Sequence, residues 1–206
     1  TGKGADNVSG GAGADRWQAD KSNATAAMVI DLTSASSSFT VGSVTAMVTG
    51  IEALGGTDAN GDRFATGSGN DVLVTRSDWH ADYIETNDGN DTVTVAGGYA
   101  DIVLMGSGLD TLKVRWADIG FGFGTAGWVG DGADGYGGTY TASRRDQNEV
   151  RFTGVEKFDL VLGEGNDDIR TGDHDDIAVG NGGNDTFRTG RGADTVSGGA
   201  GADRWQ

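Results

Sequence analysis

Over residues 162–206 an apolar residue returns at every ninth place: Ile169, Ala178, Phe187, Val196 and Trp205. All but Ala178, which lies between Ile177 and Val179, stand between two more polar neighbours, so the local pattern is a three-residue alternation with its centre turned inward. The six residues before each triplet are small and polar, and in most units they carry two glycines. A six-residue turn followed by a three-residue strand is the element this pattern predicts. Two such units make a coil of eighteen residues, and coils stack about 4.8 Å apart through parallel strand pairing. The predicted fold is therefore all-β, a parallel β-roll or β-solenoid with a turn along each edge.

The same beat runs elsewhere. Residues 1–18 give two units with Val8 and Trp17 in the apolar place. Residues 57–113 give six more, with Phe64, Leu73, Ile84, Val93, Val103 and Leu112. Two extra residues (Thr75, Arg76) and one (Val95) interrupt that run. The sixth place of every unit is aspartate: Asp6, Asp15, Asp62, Asp71, Asp82, Asp91, Asp101, Asp110, Asp167, Asp176, Asp185, Asp194 and Asp203. Half of the chain's 26 aspartates thus share one slot of one motif. Residues eighteen apart stack, which places Asp167, Asp185 and Asp203 on one edge and Asp176 and Asp194 on the other.

Composition sharpens this picture. The chain carries 38 glycines, no proline, no cysteine and a formal charge of −16. Glycine supplies the left-handed backbone that tight turns need. The negative charge argues against a nucleic-acid partner and for cations. Stacked carboxylates repel unless a cation lies between them. Oxygen donors without cysteine suit calcium, which accepts six to eight such ligands. No apolar run is long enough to span a membrane as a helix. The chain reads as an excerpt of a longer polypeptide.

The repeat G-G-x-G-x-D-x-U-x, with U apolar, resembles the repeats-in-toxin (RTX) nonapeptide, the calcium-binding unit of the parallel β-roll. The resemblance implies several bound calcium ions, held by the sixth-place aspartates and by turn carbonyls. It implies carbonyls from positions two and four of one turn and positions one and three of the next. For the turns at 162 and 180 these are Gly163, Gly165, Gly180 and Gly182, beside Asp167 and Asp185. Gly67, Gly69, Gly89, Gly172, Gly183 and Gly198 are further carbonyl candidates on the same ground. His80 and His174 occupy position four; each reads as a degenerate turn in which histidine tolerates left-handed backbone, rather than as a histidine metal site. The units at 57 and 77 lack glycine pairs and are expected to bind weakly or not at all.

The organisation that follows is a coil at 1–18, an inter-block segment at 19–56, a block at 57–113, a second inter-block segment at 114–161 and a closing block at 162–206. Both inter-block segments end in a similar phrase, VTGIE at 48–52 and FTGVE at 152–156. They are expected to continue the solenoid as wider coils with their own apolar filling, with AMVIDL at 27–32 as a strand. The glycine- and aromatic-rich stretch 121–140 is expected to fold over the roll and bury Phe121, Phe123 and Trp128; the other reading is a sugar-stacking or protein-contact loop. Arg144 and Arg145 would offset nearby acidic turns. Trp17 and Trp205 are expected to point inward and fill or cap a block.

No H-E-x-x-H or G-x-S-x-G signature is present, and most aspartates already have a structural assignment, so the chain does not read as an enzyme. A catalytic solenoid of the lyase or epimerase kind rests on fold similarity alone. Residues 1–18 and 189–206 differ at two places only, Lys3/Arg191 and Asn7/Thr195. A coil that returns 188 residues later suggests tandem modules, whose partners are adjacent copies of themselves. The expected role is a calcium-stiffened structural module of a secreted bacterial surface protein or fibre, exported unfolded by a type I route as the resemblance implies. An adhesive module for a glycan or receptor, or the non-catalytic folding domain of an exoenzyme, are the alternatives.

Overall fold

The structure, a computed structural model, describes residues 70–75, 81–96, 100–117, 122–132, 135–142 and 148–206, together with strand backbone at 7–9, 16–17, 28–31, 36–41, 44–49, 53–54 and 63–65. Asp6, Asp15, Asp62, Gly67, Gly69, His80, Phe121, Arg144 and Arg145 lie outside the described residues.

The described residues are strands and turns, with no helix among them. The chain climbs a parallel β-solenoid by alternating between two faces. On one face Val72–Val74, Thr92–Val95, Thr111–Arg115, Lys157–Val161, Ile177–Val179 and Thr195–Ser197 pair in parallel, in that order. On the other, Arg63–Ala65, Tyr83–Glu85, Asp101–Leu104 and Glu149–Val155 form one parallel run. Asp168–Arg170, Thr186–Arg188 and Arg204–Trp205 form a second. The alternation predicted for each triplet holds: Leu73, Ile84, Val93, Val103, Leu112, Ile169, Ala178 and Phe187 are all buried. Trp205 pairs in register with the buried Phe187; it is 65 % exposed, and its indole N–H donates to Thr189 Oγ1 at 3.0 Å.

Among the described residues the inter-block segments form antiparallel pairs rather than the expected wider coils. Each inserts an antiparallel excursion into one face. Phe123–Gly132 and Gly135–Ala142 form a hairpin, and the second of these strands pairs antiparallel with Glu149–Val155. The first segment does the same on the opposite face, through Met28–Asp31, Ser36–Val41 and Val44–Thr49. Met28–Asp31, within AMVIDL, is thus a strand, as the pattern predicts. Antiparallel pairing needs only a tight turn, which the glycines at 132 and 135 permit; Gly135 has φ +75°.

The inserted strands bring an aromatic core that the coils lack. Phe123 and Tyr140 are buried, and Trp128 is half-buried against the cluster. Trp128 packs on Tyr136, Phe152 and Phe158 at ring separations of 5.2, 6.1 and 5.6 Å. The fold-over reading of 121–140 therefore holds for Phe123 and in part for Trp128. Lys157–Val161 splices the insert to the coils on both sides. Lys157 faces Thr111 below, whereas Asp159 faces Ile177 above. That is a shift of two places in the repeat, which keeps Phe158 and Leu160 on the inner side.

Candidate metal centre

A regular turn has left-handed backbone at its second and fourth places. Asn87, Gly106, Asn181, Gly190 and Gly199 hold the second, with φ between 62° and 96°. Gly89, Gly108, Gly183, Gly192 and Gly201 hold the fourth, with φ between 118° and 153°. The fourth place tolerates glycine alone here, because its Cα sits directly on a carbonyl of the turn below. A Cβ on Gly183 would collide with the Gly165 oxygen, and one on Gly201 with the Gly183 oxygen. The second place stacks in the same way, Gly199 over the Asn181 carbonyl and Gly106 over that of Asn87. Carbonyl oxygens of positions two and four thus line up toward the next turn.

Two side-chain ladders run along the edges. In the first, the backbone N–H of a sixth-place aspartate donates to Oδ1 of the aspartate one coil on. Asp71 donates to Asp91 and Asp91 to Asp110, both at 2.7 Å. Asp176 donates to Asp194 at 3.1 Å. On the other edge Asp82 donates to Asp101, Asp167 to Asp185 and Asp185 to Asp203, at 2.9–3.0 Å. The stacking expected from the eighteen-residue spacing is therefore present. Asp82 joins it although its turn lacks a glycine pair.

The second ladder was not anticipated from the sequence. Fifth-place Asn and Asp side chains accept from the fifth-place N–H of the coil above. Asn90 and Leu109 donate to Asn70 and Asn90, and Asn184 and Ala202 to Asn166 and Asn184, at 2.7–2.8 Å. The recurring Asn-Asp dipeptide was its visible signal.

The aspartates of the first ladder are buried, except half-buried Asp194 and exposed Asp203. Oδ1 of Asp110, Asp167 and Asp185 accepts a hydrogen bond, but their Oδ2 is buried with no hydrogen-bond partner. In the turns at 180 and 198 that oxygen lies against the turn's own first glycine, across the loop mouth. Burial raises Asp110 and Asp167 from 3.8 to about 7, and neighbouring carboxylates add to the rise. Asp91 and Asp176 rise to about 6 for the same first reason, each partly relieved by hydrogen bonds. Asp185 is also raised by burial. These are carboxylates in need of a cation. A calcium ion fits that need: its donors here are oxygens, and it accepts irregular shells. Among the described residues no three His, Asp or Glu side chains converge, so carbonyls would complete any shell.

The first coil above the insert differs. Gly163, Gly165 and Gly172 do not take left-handed backbone, and neither does His174, contrary to the expectation for position four. The reason is what lies below: Gly172 packs on the Tyr136 ring instead of on a turn. Below Asp176 and Asp167 the ladder donors are Phe158 and Phe123 N–H, each at 2.8 Å, with no carboxylate on either residue.

The profile of the RTX calcium-binding nonapeptide repeat (4 copies) matches residues 1–16, 56–93, 76–112, 159–187 and 170–204, more than half of the chain. No curated protein matches it.

Proposed function

Because the chain belongs to the RTX calcium-binding nonapeptide repeat family, we propose that it is a calcium-folded structural module of a secreted bacterial surface protein or fibre. The buried carboxylate ladder carries this reading. Its unpartnered oxygens and raised pKa values leave the metal-free roll with a desolvation cost that divalent ions would remove. The proposed ligands are the sixth-place aspartates with carbonyls of the stacked turns. Calcium sites of the extracellular class bind at about 10⁻⁴–10⁻³ M, so the chain stays unfolded in a cytosol and folds after export.

End-to-end association with further copies is part of the proposal. Thr195–Ser197 and Arg204–Trp205 form the closing coil, each strand pairing in parallel with the coil before it. Residues 1–18 repeat this coil's sequence almost unchanged, so a following copy would present the same ladder partners. Light scattering in chelator and then in millimolar calcium tests both parts. Compaction with calcium supports the folding role, and growth into chelator-reversible particles supports stacking. No response to calcium would overturn the reading.

One observation favours an adhesive role in addition. A groove of about 690 Å³ is lined by Trp128, Tyr136, Arg170, Thr171, Arg188 and Gln206. The Arg170 guanidinium lies 5.3 Å from the Trp128 ring centre, and among the described residues it makes no ion pair. Rings beside an available cation suit a glycan. Trp128 also holds the core, so the informative variant is Arg170→Gln. Lost glycan retention with an unchanged calcium response supports adhesion; binding equal to the unaltered chain removes it.

A further inference from the structure

The phrase FTGVE lies outside every segment matched to the nonapeptide repeat, yet it crosses the same edge as the turns. The crossings at 86–91, 105–110, 171–176 and 189–194 each take six residues. From Glu149–Val155 to Lys157–Val161 the chain crosses with one, Glu156.

Despite this shortening, the backbone reproduces two features of a regular turn. Gly154 is left-handed, with φ +70°, and lies over Gly106; a Cβ there would meet Gly106 N and O at 2.8 Å. That is the stacking of a second-place residue. Glu156, two residues later, does the work of the sixth place. Asp110 N–H donates to Glu156 Oε2 at 2.7 Å, as Asp91 N–H donates to Asp110 Oδ1 at 2.7 Å. Glu156 N–H and Lys157 N–H both donate to the Asp110 carbonyl, at 3.2 and 2.9 Å. The extra methylene of glutamate spans the distance that the missing residues would have covered.

The result is a second carboxylate beside Asp110 in a closed place. Glu156 is 8 % exposed and Asp110 is fully buried. Asp110 Oδ2 has no hydrogen-bond partner and belongs to the turn on which Gly154 stacks. On the upper side of the insert the equivalent place is Phe158, which offers only its N–H. The two boundaries of the insert are therefore chemically unlike.

We propose that Asp110 and Glu156 bracket a calcium site at the lower seam, formed by one nonapeptide turn and a shortened Gly-Val-Glu turn, which fastens the insert to the roll. The donors are the two carboxylates and carbonyls of the 105–110 turn, all hard oxygens. The proposal rests on the reading that the roll itself binds calcium, and the test separates the two.

Glu156→Gln keeps an oxygen for Asp110 N–H and removes the charge. In the full chain it is expected to bind one calcium fewer by equilibrium dialysis while still gaining β structure on calcium addition. An unchanged count would overturn the proposal. If this variant does not fold, the unaltered chain decides: crystals grown in calcium should show an anomalous peak between Asp110 and Glu156. Peaks at the nonapeptide turns without one at the seam would overturn this site alone. Absence of peaks at every turn would overturn the functional reading with it.

Discussion

In the closing block the inward side chains are few: Leu162, Ile169, Ala178 and Phe187 are buried, Val196 is partly so, and much of the rest is backbone, carboxylate and amide ladders. In the insert, Trp128, Tyr136, Tyr140, Phe152 and Phe158 meet within ring separations of 4.8–6.4 Å. Both regions extend the same solenoid. One does so with polar groups stacked so closely that like charges face each other. The other does so with apolar area, which needs no ion. On the proposed reading, the calcium dependence belongs to the coils and the insert coheres by apolar packing.

Removing calcium is the largest perturbation this contrast predicts. Excess chelator should abolish the β signal of the coils in circular dichroism and expand the chain, because charge repulsion and glycine entropy then act unopposed. The insert should retain some near-ultraviolet signal from its aromatic cluster longer than the coils retain theirs. Full β structure in chelator would break the comparison.

Next in size are single changes aimed at each region. Phe158→Ala empties the centre of the aromatic cluster, where Phe158 is 1 % exposed, and should cost about 3–5 kcal/mol in urea unfolding with calcium present. Gly183→Ala acts on the coils. It places a Cβ at φ +118° against the Gly165 carbonyl, and left-handed backbone alone costs a non-glycine residue about 1–2 kcal/mol. The two should differ in kind: Gly183→Ala should raise the calcium midpoint of folding, and Phe158→Ala should lower stability even at saturating calcium. Equal shifts of the calcium midpoint would erase the distinction.

How much of this was legible in the sequence follows the same divide. The coils were readable because their period fixes what each residue does: Val93 and Leu112 inward, Asp91 and Asp110 in the ladder. The fifth-place ladder was present as repeated Asn-Asp but carried no expectation, since asparagine in a turn has several uses. The insert was opaque for a physical reason. Alternation of apolar residues marks a strand and its inner side, but says nothing of its direction or its partner, so a hairpin and a wide coil look alike. Glu156 was missed because its role comes from stacking on Asp110, 46 residues away, rather than from any spacing.

Acidity offers a third test, smaller and of opposite sign in the two metal states. Asp110 and Asp167 stand at about 7 in the metal-free fold, and Asp91 and Asp176 at about 6, against 3.8 for an ordinary aspartate. The folded chain therefore holds protons more tightly than the unfolded chain between about pH 4 and pH 7. Metal-free stability should rise as pH falls through that window and be lost as pH climbs back through 6–7. With calcium present the sign reverses, because protons compete with the ion and its binding releases them. Circular dichroism in chelator should thus show more β structure at pH 5 than at pH 7.5, while the calcium midpoint increases at the lower pH. A chelated chain equally unfolded at both would remove the electrostatic half of the argument.

The smallest effect separates the regions at their junction. Tyr140 is fully buried in the insert, yet its hydroxyl donates to the Arg170 carbonyl of the first coil above, at 2.6 Å. Tyr140→Phe keeps the ring and its packing on Phe152 at 4.8 Å, and leaves that carbonyl without the hydroxyl. The loss should be about 1 kcal/mol in urea unfolding at saturating calcium. Its location matters more than its size. If insert and coils unfold as one unit, the whole transition should shift together, seen alike by aromatic fluorescence and by far-ultraviolet dichroism. If the two signals separate in the variant but coincide in the unaltered chain, the hydroxyl is a coupling element between an ion-dependent solenoid and an ion-independent core.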